Sequence, residues 1–396
     1  MADNKKITFS KVNLSQNRVF NYRESNKESK YVKNGDDNNF PQTLIDLYNR
    51  SSVHAAAINA IVQGIIGDGL TANEDLYLKR ANAHGESWND IFKKIALDYK
   101  LHGSYAMEVI YSKDRSRIDV YHLDFSLIRA AEKNYRGQIP GYYICTEWDK
   151  YRMGTVSTDD LDYLPIYNPE KSAEEPNQIY VNREFRPGQQ YNPLPDYVAA
   201  LRIADLDTSI DDFHSQNIKN GMAPSLAITT YTNGSDDQIR SIEDQLNANY
   251  GGTDNAGSLL FMDVASKEEA PDIVPIQQNS SDTYYTTIND MVTQKILTAH
   301  RITSPLLLGI QQPGSLGNRD EMLNAWALFQ ANVIRPFQQQ LLNTLEYLIQ
   351  YNYPDAVLGI DQRTLLDDGD VEEEVVVDQE ATVEEVEEIE QPETLA

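Results

Sequence analysis

The stretch Asp196–Lys219, DYVAALRIADLDTSIDDFHSQNIK, has a counterpart in Ser281–Ile302, SDTYYTTINDMVTQKILTAHRI. Both stretches have the length and the apolar spacing of a long helix. In the first, the apolar residues recur at intervals of about 3 and 4, which suits packing against one partner helix. This stripe consists of Ala199, Ile203, Leu206, Ile210 and Phe213. Two such helices on either side of one insert predict a helical hairpin that carries the insert at its tip.

The segment between the two helices predicts a small α/β insert. Ser225–Tyr231 is typical of a strand, and Ser235 with Gln238 forms a capping-box pattern that begins a helix. Two further strand-like runs, Ser258–Asp263 and Asp272–Ile276, complete the insert.

Before the first long helix, the sequence predicts an α+β domain. Apolar periodicity indicates helices over about 41–64 and 88–102, the second ending at Gly103. Short β-rich runs separated by turn residues predict strands, and these are Tyr105–Tyr111, Arg117–Tyr121, Tyr142–Glu147 and Gln178–Arg183. Three prolines between Pro187 and Pro195 then separate this domain from the long helix.

After the second long helix, an uncharged segment with two glycines and a proline predicts a mobile loop at 311–318. Asn318 can cap the next helix, with Glu321 three residues later. Pro336 falls inside that helix and should kink it, because its ring clashes with the carbonyl four residues back.

The composition limits the classes of function. The net charge is −27, and much of the acidic excess lies in the tail 361–396. A protein that grips DNA tightly needs a basic surface, so tight binding of nucleic acid is not expected. Long apolar runs are absent, which argues against a membrane span, and the polar N-terminus does not resemble a secretory signal. The single cysteine, Cys145, excludes an internal disulfide framework and indicates synthesis in a reducing cytoplasm.

No catalytic, metal or cofactor site is predicted. The sequence has no phosphate-binding loop and no His-Glu-x-x-His pair, and its six histidines are scattered. His122 with Asp124, or His214 with Asp211, could act as a base and its orienting group, but no nucleophile motif accompanies either pair.

Five passages of the sequence carry a family resemblance, and they are Tyr48–Arg50, Leu101–Glu108, Phe213–Pro224, Ile302–Gly309 and Gly314–Asn318. These passages resemble the portal proteins of long-tailed bacteriophages. The order of parts is also similar: an α+β domain, a hinge, a long helix, an insert, a second long helix, a glycine-containing loop and a kinked helix. The resemblance covers about residues 40–350.

This resemblance implies a portal-type α+β fold and a closed ring of about twelve subunits. It divides the chain into a flexible arm at 1–40, a wing at 41–195, a first stem helix at 196–222, an α/β clip at 223–279, a second stem helix at 280–302, a tunnel loop and kinked helix at 303–340, a short crown at 341–360 and a disordered acidic tail at 361–396.

The resemblance also implies a function: a structural DNA channel at one capsid vertex, used in genome packaging, head–tail joining and DNA ejection. The expected partners are the major capsid protein, the terminase large subunit, a head–tail adaptor, a scaffold protein and double-stranded DNA, with no membrane. The tunnel loop would contact the DNA, and it comprises Gln311, Gln312, Pro313, Gly314, Ser315, Leu316, Gly317 and Asn318. An acidic lumen would be formed by Asp205, Asp207, Asp211 and Asp212.

Two alternatives remain open at this point. One is an oligomeric enzyme that uses carboxylates as acid and base, which would require a deep pocket lined by an Asp or Glu pair. The other is a different head–tail connector, although such adaptors are usually shorter and lack paired long helices.

Overall fold

A computed structural model of the chain describes residues 20–25, 30–151, 161–219, 224–230, 258–263, 282–302, 304–308 and 319–362. The tunnel-loop residues 311–318, the acidic tail beyond residue 362 and most of the clip lie outside the described residues. Within them, the chain has the mixed helix-and-sheet fold that the sequence predicts.

The helices are α1 Phe40–Arg50, α2 Ser52–Ile66, α3 Trp88–His102, α4 Trp148–Tyr151, α5 Leu201–Lys219, α6 Asp282–Ala299, α7 Arg319–Phe329 and α8 Arg335–Asn352. The strands are β1 Glu24–Ser25, β2 Lys33–Asn34, β3 Gly69–Ala72, β4 Ser104–Tyr111, β5 Ile118–Leu123, β6 Ile128–Ala130, β7 Gly141–Ile144, β8 Asp162–Pro165, β9 Asn177–Arg183, β10 Pro224–Thr230, β11 Ser258–Asp263 and β12 Leu358–Asp361.

The prediction of one helix over 41–64 is wrong, because the chain breaks into α1 and α2 at Ser51. Ser51 has an extended backbone, with φ −87° and ψ 113°, and its hydroxyl accepts a hydrogen bond from the amide of His54. A serine in this conformation satisfies a free amide at the start of α2, so it acts as an N-cap. The break lets each helix bury its own apolar face, for example Leu47 in α1 and Ile61 in α2.

A three-stranded antiparallel sheet in the order β5-β4-β9 packs against α3, and Tyr105 of β4 donates to Thr344 of α8. The helix α3 begins with a capping box between Ser87 and Asp90, and it ends at Gly103 in the left-handed region. Its inner residues Ile91 and Ile95 are fully buried. Each buried side chain of this size stabilises the fold by about 1.5–3 kcal/mol. A second antiparallel sheet, β6-β7-β8, has its own smaller apolar cluster.

The helix interruption expected at Pro336 takes the form of a π-helical turn at Gln330–Ile334, directly before α8. The amide of Arg335 donates to the carbonyl of Gln330, five residues back. Proline cannot donate to the residue four positions back, and its ring would collide with that carbonyl. Widening the helix by one residue just before the proline relieves both problems.

The segment 341–360, which the resemblance assigns to a crown, is part of the same core. The buried residues of α8 include Leu341, Leu345 and Leu348, and β12 pairs antiparallel with β3. This strand pairing brings the C-terminal end of the described chain against the strand that follows α2.

The described part of the insert is the pair β10 and β11, which are parallel. Parallel neighbours require a crossover connection, as a helix at 235–250 would provide. That predicted helix and the predicted strand Asp272–Ile276 lie outside the described residues. None of the described helices is long and apolar enough to cross a bilayer.

Candidate functional site

The helices α5 and α6 pack against each other and against α1 and α2. We call α5 and α6 the helical pair. The helix α6 faces this packing with Val292 and Ile296, both fully buried. The contact between the two helices agrees with the hairpin predicted from the sequence.

The prediction for α5 needs two corrections. The α-helix starts at Leu201 rather than at Asp196. The residues just before it, Val198–Ala200, form a 3₁₀ turn. The predicted stripe is also not the inner face of α5, since Leu206 and Phe213 are each 38% exposed. The inner face of α5 consists instead of Leu201, Ala204, Asp207 and Thr208, which are buried. Their spacing is that of one face of a helix.

An ion-pair triad around a buried lysine anchors the helical pair to α3. The Lys100 side chain is 0% exposed, and its ammonium lies 2.7 Å from Asp196 Oδ1. Arg301, just after α6, donates to Asp196 Oδ2 at 2.7 Å. Asp196, which lies shortly before α5, therefore links Lys100 on α3 with Arg301 at the end of α6. The two cations keep the pKa of Asp196 below its ordinary value despite burial, while burial lowers the pKa of Lys100.

Arg301 occupies a backbone position that favours glycine. Its φ is 59°, and its amide donates to Thr298 while that of Ile302 donates to Leu297. These are the two bonds of a Schellman motif, in which an L-residue is strained. The side chain of this strained residue is the one that pairs with Asp196.

An aromatic cluster of His54, His300 and Tyr197 lies beside the triad. Nδ1 of His54 and Nε2 of His300 are 2.9 Å apart, and the Tyr197 hydroxyl donates to the Leu101 carbonyl at 2.6 Å. Burial lowers the pKa of His54 to about 4 and that of His300 well below its ordinary value, and the nearby Lys100 charge acts in the same direction. Both imidazoles are thus neutral near pH 7, and one donates to the other.

Two more contacts tie α5 to the junction between α1 and α2. The Ser51 hydroxyl donates to Asp207 Oδ2 at 2.7 Å, so the residue that separates α1 from α2 also holds α5. Burial raises the pKa of Asp207, which Ser51 partly opposes. Arg50 pairs with Asp212 at 2.6 Å on the surface.

The four predicted lumen carboxylates therefore lie in different environments. Asp207 is buried against Ser51, Asp212 pairs with Arg50, Asp211 is exposed and Asp205 is partly exposed. The tunnel-loop residues are outside the described part of the chain. The cluster at the base of the helical pair was not predicted, because its members are far apart in the chain. These members are His54, Lys100, Tyr197 and His300.

Two places in the described chain could have supported the carboxylate-enzyme alternative, and neither does. His122 pairs with Asp98, at 2.9 Å between Nε2 and Oδ2, rather than acting with Asp124. An open groove of about 330 Å³ lies between residues 20–24 and 188–190. Glu24 is the carboxylate that lines this groove, and backbone amides of 190–192 donate to it.

Comparison with known proteins gives a consistent result. A family model described as "Phage portal protein" matches residues 71–354. The fold is similar to a chain in the virion of a native gene transfer agent particle, with TM-score 0.53, 15% identity, and coverage of 81% of this chain and 83% of that one. It is also similar to a chain in the neck of such a particle computed with C12 symmetry, with TM-score 0.52, 16% identity, and coverage of 81% and 84%. No curated protein gives a significant match.

Proposed function

Because the chain belongs to the phage portal protein family, we propose that it closes into a ring of about twelve copies around a DNA channel. It is a structural portal subunit and not an enzyme. In this proposal, the ring occupies one vertex of the virion capsid and is assembled in the host cytoplasm. It docks the terminase motor for packaging, joins the head to the tail through an adaptor, and releases DNA during ejection. The capsid protein and a scaffold would contact its outer surface.

The observation that carries the ring proposal is the position of apolar side chains on the outside of the helical pair and on α7. Met291 is 44% exposed and Leu328 is 54% exposed, and Leu206 and Phe213 of α5 are exposed as well. Rings are built from heterologous contacts that close by rotation. Each subunit therefore needs two different surfaces that are complementary to each other. The two α5 residues would supply one face, and Met291 and Leu328 would contribute to the other. The C12 symmetry used for the neck of the gene transfer agent particle supports the same arrangement.

The parts of the chain are assigned on this basis. Residues 41–195 would form the wing, the helical pair the stem, and 223–279 the clip that meets the motor and the adaptor. The loop 311–318 would form the narrowest gate. Residues 341–360, which the resemblance assigns to a crown, would instead belong to the wing, because they pack in its core.

The stem would let DNA pass without holding it. Asp211 and Asp205 lie on α5, and a ring repeats each of them in every subunit. Carboxylates repel phosphate, so the duplex would slide in both directions while the motor supplies the force. Asp207 is excluded from this role by its contact with Ser51, and Asp212 shares its charge with Arg50.

Replacing Asp211 with lysine is expected to slow DNA packaging by at least about twofold, because the ring would present attractive charges to the phosphates. The matched control is Asp75→Lys, which makes the same charge change at an exposed position of the wing. The measurement is the length of DNA packaged against time in heads assembled with each variant. Equal rates for wild type and Asp211→Lys would remove the acidic lumen from the proposal.

A further inference from the structure

We propose that Asp98, His102 and Asp124 bind one divalent transition-metal ion of the Zn²⁺ or Mn²⁺ class, which fastens the C-terminal turn of α3 to the end of β5. The site serves structure rather than catalysis, and it is separate from the channel surfaces described above.

The three side chains meet although they come from different elements. Asp98 and His102 are one turn apart on α3, and Asp124 follows β5 directly. One potential ligand atom from each residue lies within 4.8 Å of those from the other two. A modest closing of the three side chains would bring these atoms to the usual ligand distance of about 2.0–2.2 Å from one ion.

The local hydrogen bonds leave donor atoms for an ion. Asp98 accepts from His122 Nε2 at 2.9 Å and from the Phe125 amide at 3.2 Å, both at Oδ2. Asp124 accepts from the Ser126 amide at Oδ1. One oxygen of each carboxylate is thus unused by these bonds. His102 is 2% exposed, and its Nδ1 is buried with no hydrogen-bond partner.

An unpartnered buried imidazole next to two carboxylates needs an explanation, because burying a polar group without a partner costs about 1–3 kcal/mol. Burial lowers the pKa of His102, although Asp98 and Asp124 act against this. The guanidinium of Arg129 lies nearby, but its hydrogen bonds go to Asn38, Gln42 and backbone carbonyls. These bonds therefore do not occupy the carboxylates of the proposed site.

The ligand set indicates the class of ion. One imidazole with two carboxylates suits Zn²⁺ or Mn²⁺, whereas Ca²⁺ and Mg²⁺ prefer oxygen ligands alone. His122 would act as the outer partner that orients the Asp98 carboxylate, a common arrangement around metal sites.

The position of the site gives it a mechanical role. The turn that carries His102 also carries Lys100, which binds Asp196, and Leu101, whose carbonyl accepts from Tyr197. An ion on one side of this turn would stiffen the anchor of the helical pair on the other side.

The test measures binding of Zn²⁺ and Mn²⁺ to the metal-free full chain by equilibrium dialysis with elemental analysis. We expect one tight ion per chain. Asp124→Asn should weaken its binding more than about 100-fold, since loss of an outer partner alone costs about 10–100-fold. The asparagine Oδ1 can still accept the hydrogen bond from the Ser126 amide, so we expect the fold to be retained. The matched control Asp75→Asn removes the same charge elsewhere and should leave the affinity unchanged.

A second measurement does not depend on Asp124→Asn. Electron spin-echo modulation of Mn²⁺ bound to the wild-type chain should detect an imidazole nitrogen, and His102→Gln should remove it. The proposal fails if no ion binds, if Asp124→Asn and Asp75→Asn bind equally, or if bound Mn²⁺ has only oxygen ligands. Either of the last two results would indicate that the ion binds to acidic surface residues, such as those of the tail 361–396.

Discussion

Replacing Asp196 with alanine is expected to lower the free energy of unfolding by about 3–5 kcal/mol, because it leaves a buried ammonium without its counterion. Lys100 is fully buried, and Asp196 is the carboxylate that its ammonium contacts. The variant also frees Arg301, which keeps a left-handed backbone while it binds Asp196. Denaturation by urea, at one fixed protein concentration for all variants, measures the loss.

Two controls separate burial from the mere loss of an ion pair. Asp212→Ala breaks a surface pair with Arg50 and should cost only about 0–1 kcal/mol. The double variant Lys100→Met with Asp196→Ala removes both buried charges and should recover much of the lost stability. A loss for Asp196→Ala no larger than for Asp212→Ala would contradict the role of the triad as the anchor.

Replacing Gly103 with alanine is expected to cost about 3 kcal/mol, from about 1–2 kcal/mol of left-handed strain and about 1–3 kcal/mol of steric overlap. Its φ is +75°, and a Cβ there would lie 2.5 Å from the carbonyl oxygen of Leu194. The obstructing atoms belong to the backbone of Leu194 and Pro195, in the proline-rich hinge 187–195, so they cannot rotate away.

Gly137 supplies a matched control for this variant. It has the same φ of +75°, but nothing lies within 4 Å of the position that a Cβ would take. Gly137→Ala should therefore cost only the strain, about 1–2 kcal/mol. Urea denaturation of both variants measures the difference, and equal losses would show that α3 and the hinge do not pack as closely as described.

The order of elements could be predicted from the sequence because it depends on local patterns. Strand runs such as Gln178–Arg183 correspond closely to β9, and turn residues such as Gly103 mark the ends of helices as expected. The sequence predicts a kink at Pro336, since proline disrupts the hydrogen bonds of any helix that contains it, and the π turn lies directly before that residue.

What could not be predicted depends on contacts between distant residues. The break at Ser51 was missed because serine is tolerated within helices, and its bond to Asp207 spans 156 positions. The inner face of α5 was assigned wrongly because Asp207 and Thr208 are polar yet buried. The proximity of His102 to Asp124 likewise required the structure, because the histidines alone show no ligand spacing.

The central claim is that identical copies of this chain form a closed ring around a channel. The most direct test is electron microscopy of the purified full-length protein, with mass photometry on the same sample. The account predicts rings with a central hole and a mass of about twelve times the 44.9 kDa subunit. A compact dimer or tetramer without a channel would contradict it.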